Sequence, residues 1–248
     1  MHGRLGFIAE KYTALLARRP PRRSRPRIPR GARTPSELGT FQSTIADVYE
    51  MIVRSRILSA TPTVVDVGAN VGQFSWALKL FVPGAHVRCF EADPKTFESL
   101  CHNLADLPDI EPVNHGVADR ETVLPFARAS LSLTSSFAGN VDEPREVINL
   151  SVAPLDRLCS DLDAIDLLKV DVEGFELSVV QGARGVLSRS RWLLIEVSAG
   201  SSQRDRNLEM LAAIRECVPS ARIVAVGRPL MDARGMPACQ DVLICLPR

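Results

Sequence analysis

Val64-Val65-Asp66-Val67-Gly68-Ala69-Asn70-Val71-Gly72 is a short β-branched run that follows Pro62, ends in glycines and leads straight into Phe74-Ser75-Trp76-Ala77-Leu78-Lys79-Leu80-Phe81. Its pattern predicts a buried strand, a tight turn and then a helix. A βα corner of this kind holds a ligand over its turn. Gly68 can take backbone angles closed to other residues, and Gly72 lets the start of the helix lie close to whatever covers the turn. Asp66, Gly68, Asn70 and Gly72 are therefore expected against a ligand.

The glycine spacing restricts that ligand. A dinucleotide fingerprint beginning at Gly68 needs glycine again at positions 70 and 73, where this chain has Asn70 and Gln73. No Gly-Lys-Ser/Thr follows the turn, so a phosphate loop is absent as well. A nucleoside without phosphates fits better. Nineteen residues after Gly72, the run His86-Val87-Arg88-Cys89-Phe90 ends in Glu91, where an acid can accept hydrogen bonds from both ribose hydroxyls. S-adenosylmethionine meets these conditions. A nicotinamide oxidoreductase would share Glu91 and the fold but not the spacing. The blander alternative is that Asp66 and Glu91 only cap loops at the sheet edge.

Composition narrows the setting. The 248 residues suffice for one large α/β domain and a small appendage, and the net charge of +1 hides an asymmetry. Residues 1–40 hold ten Lys or Arg and two acids, so the remainder is acidic, at −7. The leader, with Arg18-Arg19-Pro20-Pro21-Arg22-Arg23-Ser24-Arg25-Pro26, has no aromatic interleaving and too many prolines for a helix. It reads as a solvated leader, with weak contact of residues 18–33 to an anionic surface as the alternative. Nucleic acid is not the expected partner. If the arm did serve that end, the chain would be an RNA methyltransferase or a nucleic-acid-binding protein with steeply salt-dependent binding. The six cysteines show no C-x-x-C pair or metal-ligand spacing and read as reduced thiols. No apolar run approaches the ~18 residues of a membrane span, and no signal-peptide core is evident. A cytoplasmic protein is expected; its oligomeric state is not legible.

Residues 1–40 are thus expected as leader and 41–248 as the domain. Ile45, Val48, Tyr49, Ile52 and Val53 recur at helical spacing through Phe41 to Leu58, which predicts a helix before the first strand. Strand and helix patterns then alternate: strand 63–67, helix 72–82, strand 86–91, helix 94–106, strand 110–117. This is the rhythm of a parallel sheet. Val117, Ala118 or Asp119 should meet the adenine at the end of the third strand. Residues 120–163 break the rhythm, and the Ser/Thr/Gly-rich stretch from Arg128 to Asn140 is placed to be a substrate lid or a plain loop. Strand 165–171, helix 175–187, strand 192–198, helix 204–216 and strands 222–226 and 241–246 follow. Only a turn separates the last two, which predicts an antiparallel hairpin.

A second constellation lies in Asp166-Leu167-Leu168-Lys169-Val170-Asp171-Val172-Glu173-Gly174-Phe175-Glu176. Alternation puts Lys169, Asp171 and Glu173 on one face of an otherwise apolar strand. A lysine there is costly unless a carboxylate answers it. Asp171 lies two residues on, and Glu196 ends the next strand, Trp192-Leu193-Leu194-Ile195-Glu196. These four form either a site at the ligand-binding edge of the sheet or a structural ion network.

Val65 to Gly72, Phe90-Glu91-Ala92-Asp93-Pro94, Leu155-Asp156, Leu168 to Glu176 and Ile195-Glu196-Val197 together resemble the FkbM family of S-adenosylmethionine-dependent methyltransferases, from about residue 45 to 246. Lys169-Val170-Asp171-Val172-Glu173-Gly174 is the most specific string. Ala92 departs from the proline often found there. The resemblance implies a class I methyltransferase Rossmann-like α/β fold, with a seven-stranded, mostly parallel sheet, an antiparallel last strand and helices on both faces. It also implies O-methylation of a hydroxyl on a sugar, glycolipid or secondary metabolite. In that chemistry Asp171 is the first candidate for general base, with Glu173 and His115 as alternates. Asp171 and Glu196 can instead hold Mg²⁺, since oxygen ligands suit that ion.

The glycine spacing carries a direct test. Calorimetry should show S-adenosylhomocysteine binding tightly, with NAD and ATP bound far more weakly; tighter binding of NAD would overturn the reading.

Overall fold

The alternation of buried β-branched runs with amphipathic segments builds one twisted sheet with helices on both faces. The structure is a computed structural model that describes residues 44–128, 146–198, 203–231 and 236–247. The leader and most of the Ser/Thr/Gly-rich stretch lie outside the described residues. The strands are β1 (Thr63–Val67), β2 (His86–Phe90), β3 (Ile110–Val113), β4 (Gly116–Val117), β5 (Thr122–Arg128), β6 (Glu146–Ala153), β7 (Ile165–Val170), β8 (Ser190–Ser198), β9 (Arg222–Val226), β10 (Leu230–Met231) and β11 (Pro237–Cys245). The helices are α1 (Val48–Val53, a π-helical turn), α2 (Gln73–Phe81), α3 (Pro94–Leu104), α4 (Leu155–Leu158), α5 (Glu176–Gln181), α6 (Arg184–Arg189) and α7 (Arg204–Cys217).

The main sheet runs β3-β2-β1-β7-β8-β11-β10, with β9 also paired to β11. β3, β2, β1, β7 and β8 are parallel, and β11 is antiparallel to β8. The order reverses direction between β1 and β7, so a crevice opens at the carboxyl ends of these two strands. The antiparallel pairing of β9 with β11 follows from the short connection between them. Side-chain alternation divides the core. Val65, Leu168 and Leu193 face α5, α6 and α7, whereas Val64, Leu167, Leu194 and Leu243 face α1, α2 and α3.

Three elements differ from the sequence expectation. The strand anticipated at 110–117 divides. Asn114 turns aside to donate its side-chain amide to the carbonyls of Glu91 and Ala92, and β4 pairs with β6 in a separate three-stranded sheet, β4-β6-β5. The helix anticipated at 175–187 is two helices broken at Gly182, where a side chain would collide with the carbonyl of Ala118. The last strand starts at Pro237, and β10 forms inside the stretch read as a turn.

The Leu155-Asp156 pair proves to be a fold determinant. Leu155 is fully buried. Asp156 accepts the amides of Gly185 and Val186 at 2.9 and 2.7 Å, capping α6 from 29 residues away. Asp156→Ala orphans both amides and should cost about 2 kcal/mol, lowering Tm by roughly 4–8 °C in a domain of this size. Cofactor affinity should be unchanged, as the residue lies outside the cavity described next. Calorimetry of unfolding and binding checks both parts.

Candidate active site

The site begins where β1 and β7 end side by side. Gly68 and Ala69 donate their amides to the Phe90 carbonyl at 3.0 and 2.9 Å, and Asp171 donates its own to Val67 at 3.0 Å. Gly68 has φ 77°, and a Cβ there would strike the backbone carbonyl of Asp171. The glycine is therefore required first by the close approach of two loops. Gly72, with φ 89°, caps α2, and a Cβ there would press on Leu100 and Leu104 of α3. The absence of a side chain at Gly72 thus serves the packing of α3, and the residue is not in the lining of the cavity described next.

A cavity of about 680 Å³ lies over this edge, and Gly68, Asn70, Glu91, His115, Asp171, Glu173 and Glu196 all line it. Glu91 is buried, with one oxygen accepting the Asn70 amide at 2.9 Å and the other the Asp93 amide at 2.9 Å. Burial pushes its pKa up to about 7, against those two hydrogen bonds. Asn70 sits at φ 50°, a conformation that asparagine tolerates. His115 is held by a 2.8 Å contact between Nδ1 and the Gly116 carbonyl.

Asp66, Ala118 and Asp119 do not line the cavity. Asp66 is fully buried beneath it, accepting the Ser75 hydroxyl at 2.7 Å and lying 3.1 Å from Lys169 Nζ. It answers the lysine, and burial sets it beneath the cavity instead of in its lining. Ala118 packs on Gly182, and Asp119 exchanges two hydrogen bonds with Ser178. Of residues 117–119, Val117 lines the cavity.

Lys169 occupies the centre of the charge arrangement. Its ammonium lies 3.1 Å from Asp66 and 3.3 Å from Asp171, and 5.4 Å from the centre of the Phe74 ring. Burial alone would lower its pKa, but the two carboxylates outweigh that and raise it. Beyond it, carboxylate oxygens of Asp171, Glu173 and Glu196 lie within 4.8 Å of one another. Glu173, at φ 53°, and Gly174, at φ 92°, form a turn tied by Glu176, which accepts the amides of Val172 and Gly174 at 3.2 and 2.9 Å. The string after β7 thus encodes its own bend. Crowded acids hold their protons. Burial, then Asp171 and Glu173, push Glu196 up to about 9; burial, then Asp171 and Glu176, push Glu173 up to about 8.

Other cavity residues escaped sequence reasoning. Asp241 faces Glu196 across the β8–β11 ladder and is pushed up to about 6 by burial and Asp171. Cys239 hydrogen-bonds Glu196 and has its thiol pKa raised by burial. The legible signal was an aspartate opening the apolar run Val242 to Cys245. Asp47 of the 44–53 segment and Arg228 after β9 also line the cavity, near enough for the guanidinium to act on the carboxyl, and nothing in the linear pattern links them. Phe126 of β5 and Thr96 of α3 complete the wall near Glu91.

A doubly wound sheet with an antiparallel last strand and a glycine corner at the reversal, with a buried acid closing the neighbouring strand, is the fold of class I methyltransferases. Residues 66–219 match the methyltransferase FkbM domain, and the chain belongs to that family of S-adenosylmethionine-dependent methyltransferases. It is 25% identical over 195 residues to 2-O-methyltransferase NoeI of Sinorhizobium fredii, covering 72% of this chain and 79% of that protein. It is 25% identical over 141 residues to hexuronic acid methyltransferase AglP of Haloferax volcanii, covering 56% of this chain and 57% of AglP. The crystal structure of methyltransferase FkbM from Methylobacillus flagellatus KT has the same fold, with a TM-score of 0.54 and 23% identity over 76% of this chain. The chain spans 46% of that protein.

The raised carboxylates set a pH dependence. The folded protein keeps protons on Glu173, Glu196 and Asp241 that the unfolded chain releases near pH ~4. Their contribution to stability is complete below that value and is lost as pH rises through about 6, 8 and 9. The Tm of ligand-free protein should fall over that window, and Glu196→Gln should flatten the fall. A profile that rises would contradict the packing of these acids.

Proposed function

We propose that the chain transfers the methyl group of S-adenosylmethionine to a hydroxyl of a sugar, glycolipid or secondary metabolite. The observation that carries this reading is the acidic cluster of Asp171, Glu173 and Glu196 in the same cavity as Glu91 and Asn70. The family match, the name of NoeI as a 2-O-methyltransferase and that of AglP as a hexuronic acid methyltransferase support it.

The residues fit the cofactor. Glu91 keeps lone pairs on both oxygens for ribose hydroxyls, and Gly68 and Asn70 form the floor beside it. Bound S-adenosylmethionine supplies the electrophilic methyl. The protein aligns the acceptor, excludes water and takes a proton. Asp171 is positioned for that last task, because it lines the cavity and its carboxylate is held 3.3 Å from the Lys169 ammonium. It would take the proton of the acceptor hydroxyl, while the methyl group would come from the bound cofactor. Glu173 and His115 are alternates on the cavity wall. A second reading uses the same oxygens: Asp171, Glu173 and Glu196 form a donor set suited to Mg²⁺. No nucleic-acid role is proposed for the basic leader.

The test is methyl transfer from radiolabelled S-adenosylmethionine to a panel of uronic acids, glycolipids and nucleotide sugars. Asp171→Asn should cut turnover by about 100-fold or more with little change in S-adenosylhomocysteine affinity. Loss of activity in EDTA with recovery in Mg²⁺ would favour the metal reading, and insensitivity the base. A stable variant with near-wild-type turnover would exclude both.

A further inference from the structure

Arg128 ends β5, in the three-stranded sheet that stands apart from the main one. Its guanidinium grips Asp93 with two nitrogens, Nε donating to Oδ2 at 2.9 Å and Nη2 to Oδ1, while Nη1 donates to Glu146 of β6 at 2.7 Å. Asp93 is buried and caps α3 by accepting the Lys95 amide at 3.0 Å. Its own amide holds Glu91 Oε1 at 2.9 Å. Arg128, Asp93 and Glu91 therefore form one chain of contacts from an outlying strand to the carboxylate over the cavity. Phe126, two residues before Arg128 on the same strand, lines that cavity.

We propose that Arg128 is a positioning residue for the cofactor: by clamping Asp93 it fixes Glu91 for the ribose hydroxyls and fastens the β5 wall beside them. The inference rests on the reading of Glu91 as the ribose ligand. Two physical links transmit the effect. The bidentate fork immobilises Asp93, and with it the amide that orients Glu91. The guanidinium also neutralises Asp93, whose negative charge otherwise adds to the burial that favours protonated Glu91. A protonated Glu91 has lost part of its capacity to accept from two hydroxyls. The ion pair with Glu146 lies at the surface, with Glu146 exposed, and contributes little.

The experiment compares S-adenosylhomocysteine with its 2′-deoxyribose analogue by calorimetry, in the full chain and in Arg128→Ala, Arg128→Gln and Glu146→Gln. Arg128→Gln keeps the stem packed along the strand and removes only the charged fork. The wild type should prefer the ribose compound. Both Arg128 variants should bind it roughly tenfold more weakly, the scale of one charge-assisted hydrogen bond, and lose most of the preference over the deoxy analogue. Glu146→Gln should keep affinity and preference. Arg128 variants that bind as wild type, or that lose affinity equally for both compounds, overturn the proposal. A wild type that ignores the ribose hydroxyl overturns it together with the Glu91 reading, whereas loss of preference confined to the variants separates the two.

Discussion

The ammonium of Lys169, buried between Asp66 and Asp171, is the constraint on which the rest of the site depends. Moving such a charge out of water costs several kcal/mol, and only close opposite charges offset it. The lysine therefore dictates where two carboxylates must be. Asp66 is its register partner on the neighbouring strand, and Ser75 ties Asp66 to α2. Asp171 begins the loop that crosses Gly68. One charge thus joins β1, β7, α2 and the floor of the cavity, and removal of either acid leaves the ammonium with one carboxylate in place of two.

The floor is built from short-range necessity and the walls from long-range packing. Glu176 ties the bend after β7, and the glycine at 68 lets two backbones meet. Such a floor admits little variation. The walls come from the 44–53 segment, β5 and the strands around β11, elements distant in sequence from the floor. Under the proposed reading the first group would set the chemistry and the second the choice of acceptor, as one fold serves many substrates.

Electrostatics fits a cationic guest. Asp47, Glu91, Asp171, Glu173, Glu196 and Asp241 line the cavity against Lys169 and Arg228, and Asp66 and Asp171 already answer the lysine. Carboxylates crowded to this degree share protons until a positive charge arrives. The sulfonium of S-adenosylmethionine would supply such a charge.

The local pattern from Val64 to Gly72 determined the strand, the turn and the exclusion of a dinucleotide, because glycine positions and β-branched runs act over a few residues. Glu91 and the Lys169–Asp171 pair were legible for the same reason: strand alternation and strand ends place them without further folding. Tertiary structure decided what each group touches. Asp66 reads as a ligand in sequence and becomes a buried counterion, because Lys169 lies beside it only once β1 pairs with β7. Gly72 turns to α3, and Ala118 and Asp119 turn to Gly182 and Ser178, because helix packing sets the direction of each chain segment. Asp241, Cys239 and Arg128 join the site through pairings that span from 35 to more than 40 residues, as in the Arg128–Asp93 contact. Such contacts depend on loop closure and sheet order, which a linear pattern does not encode.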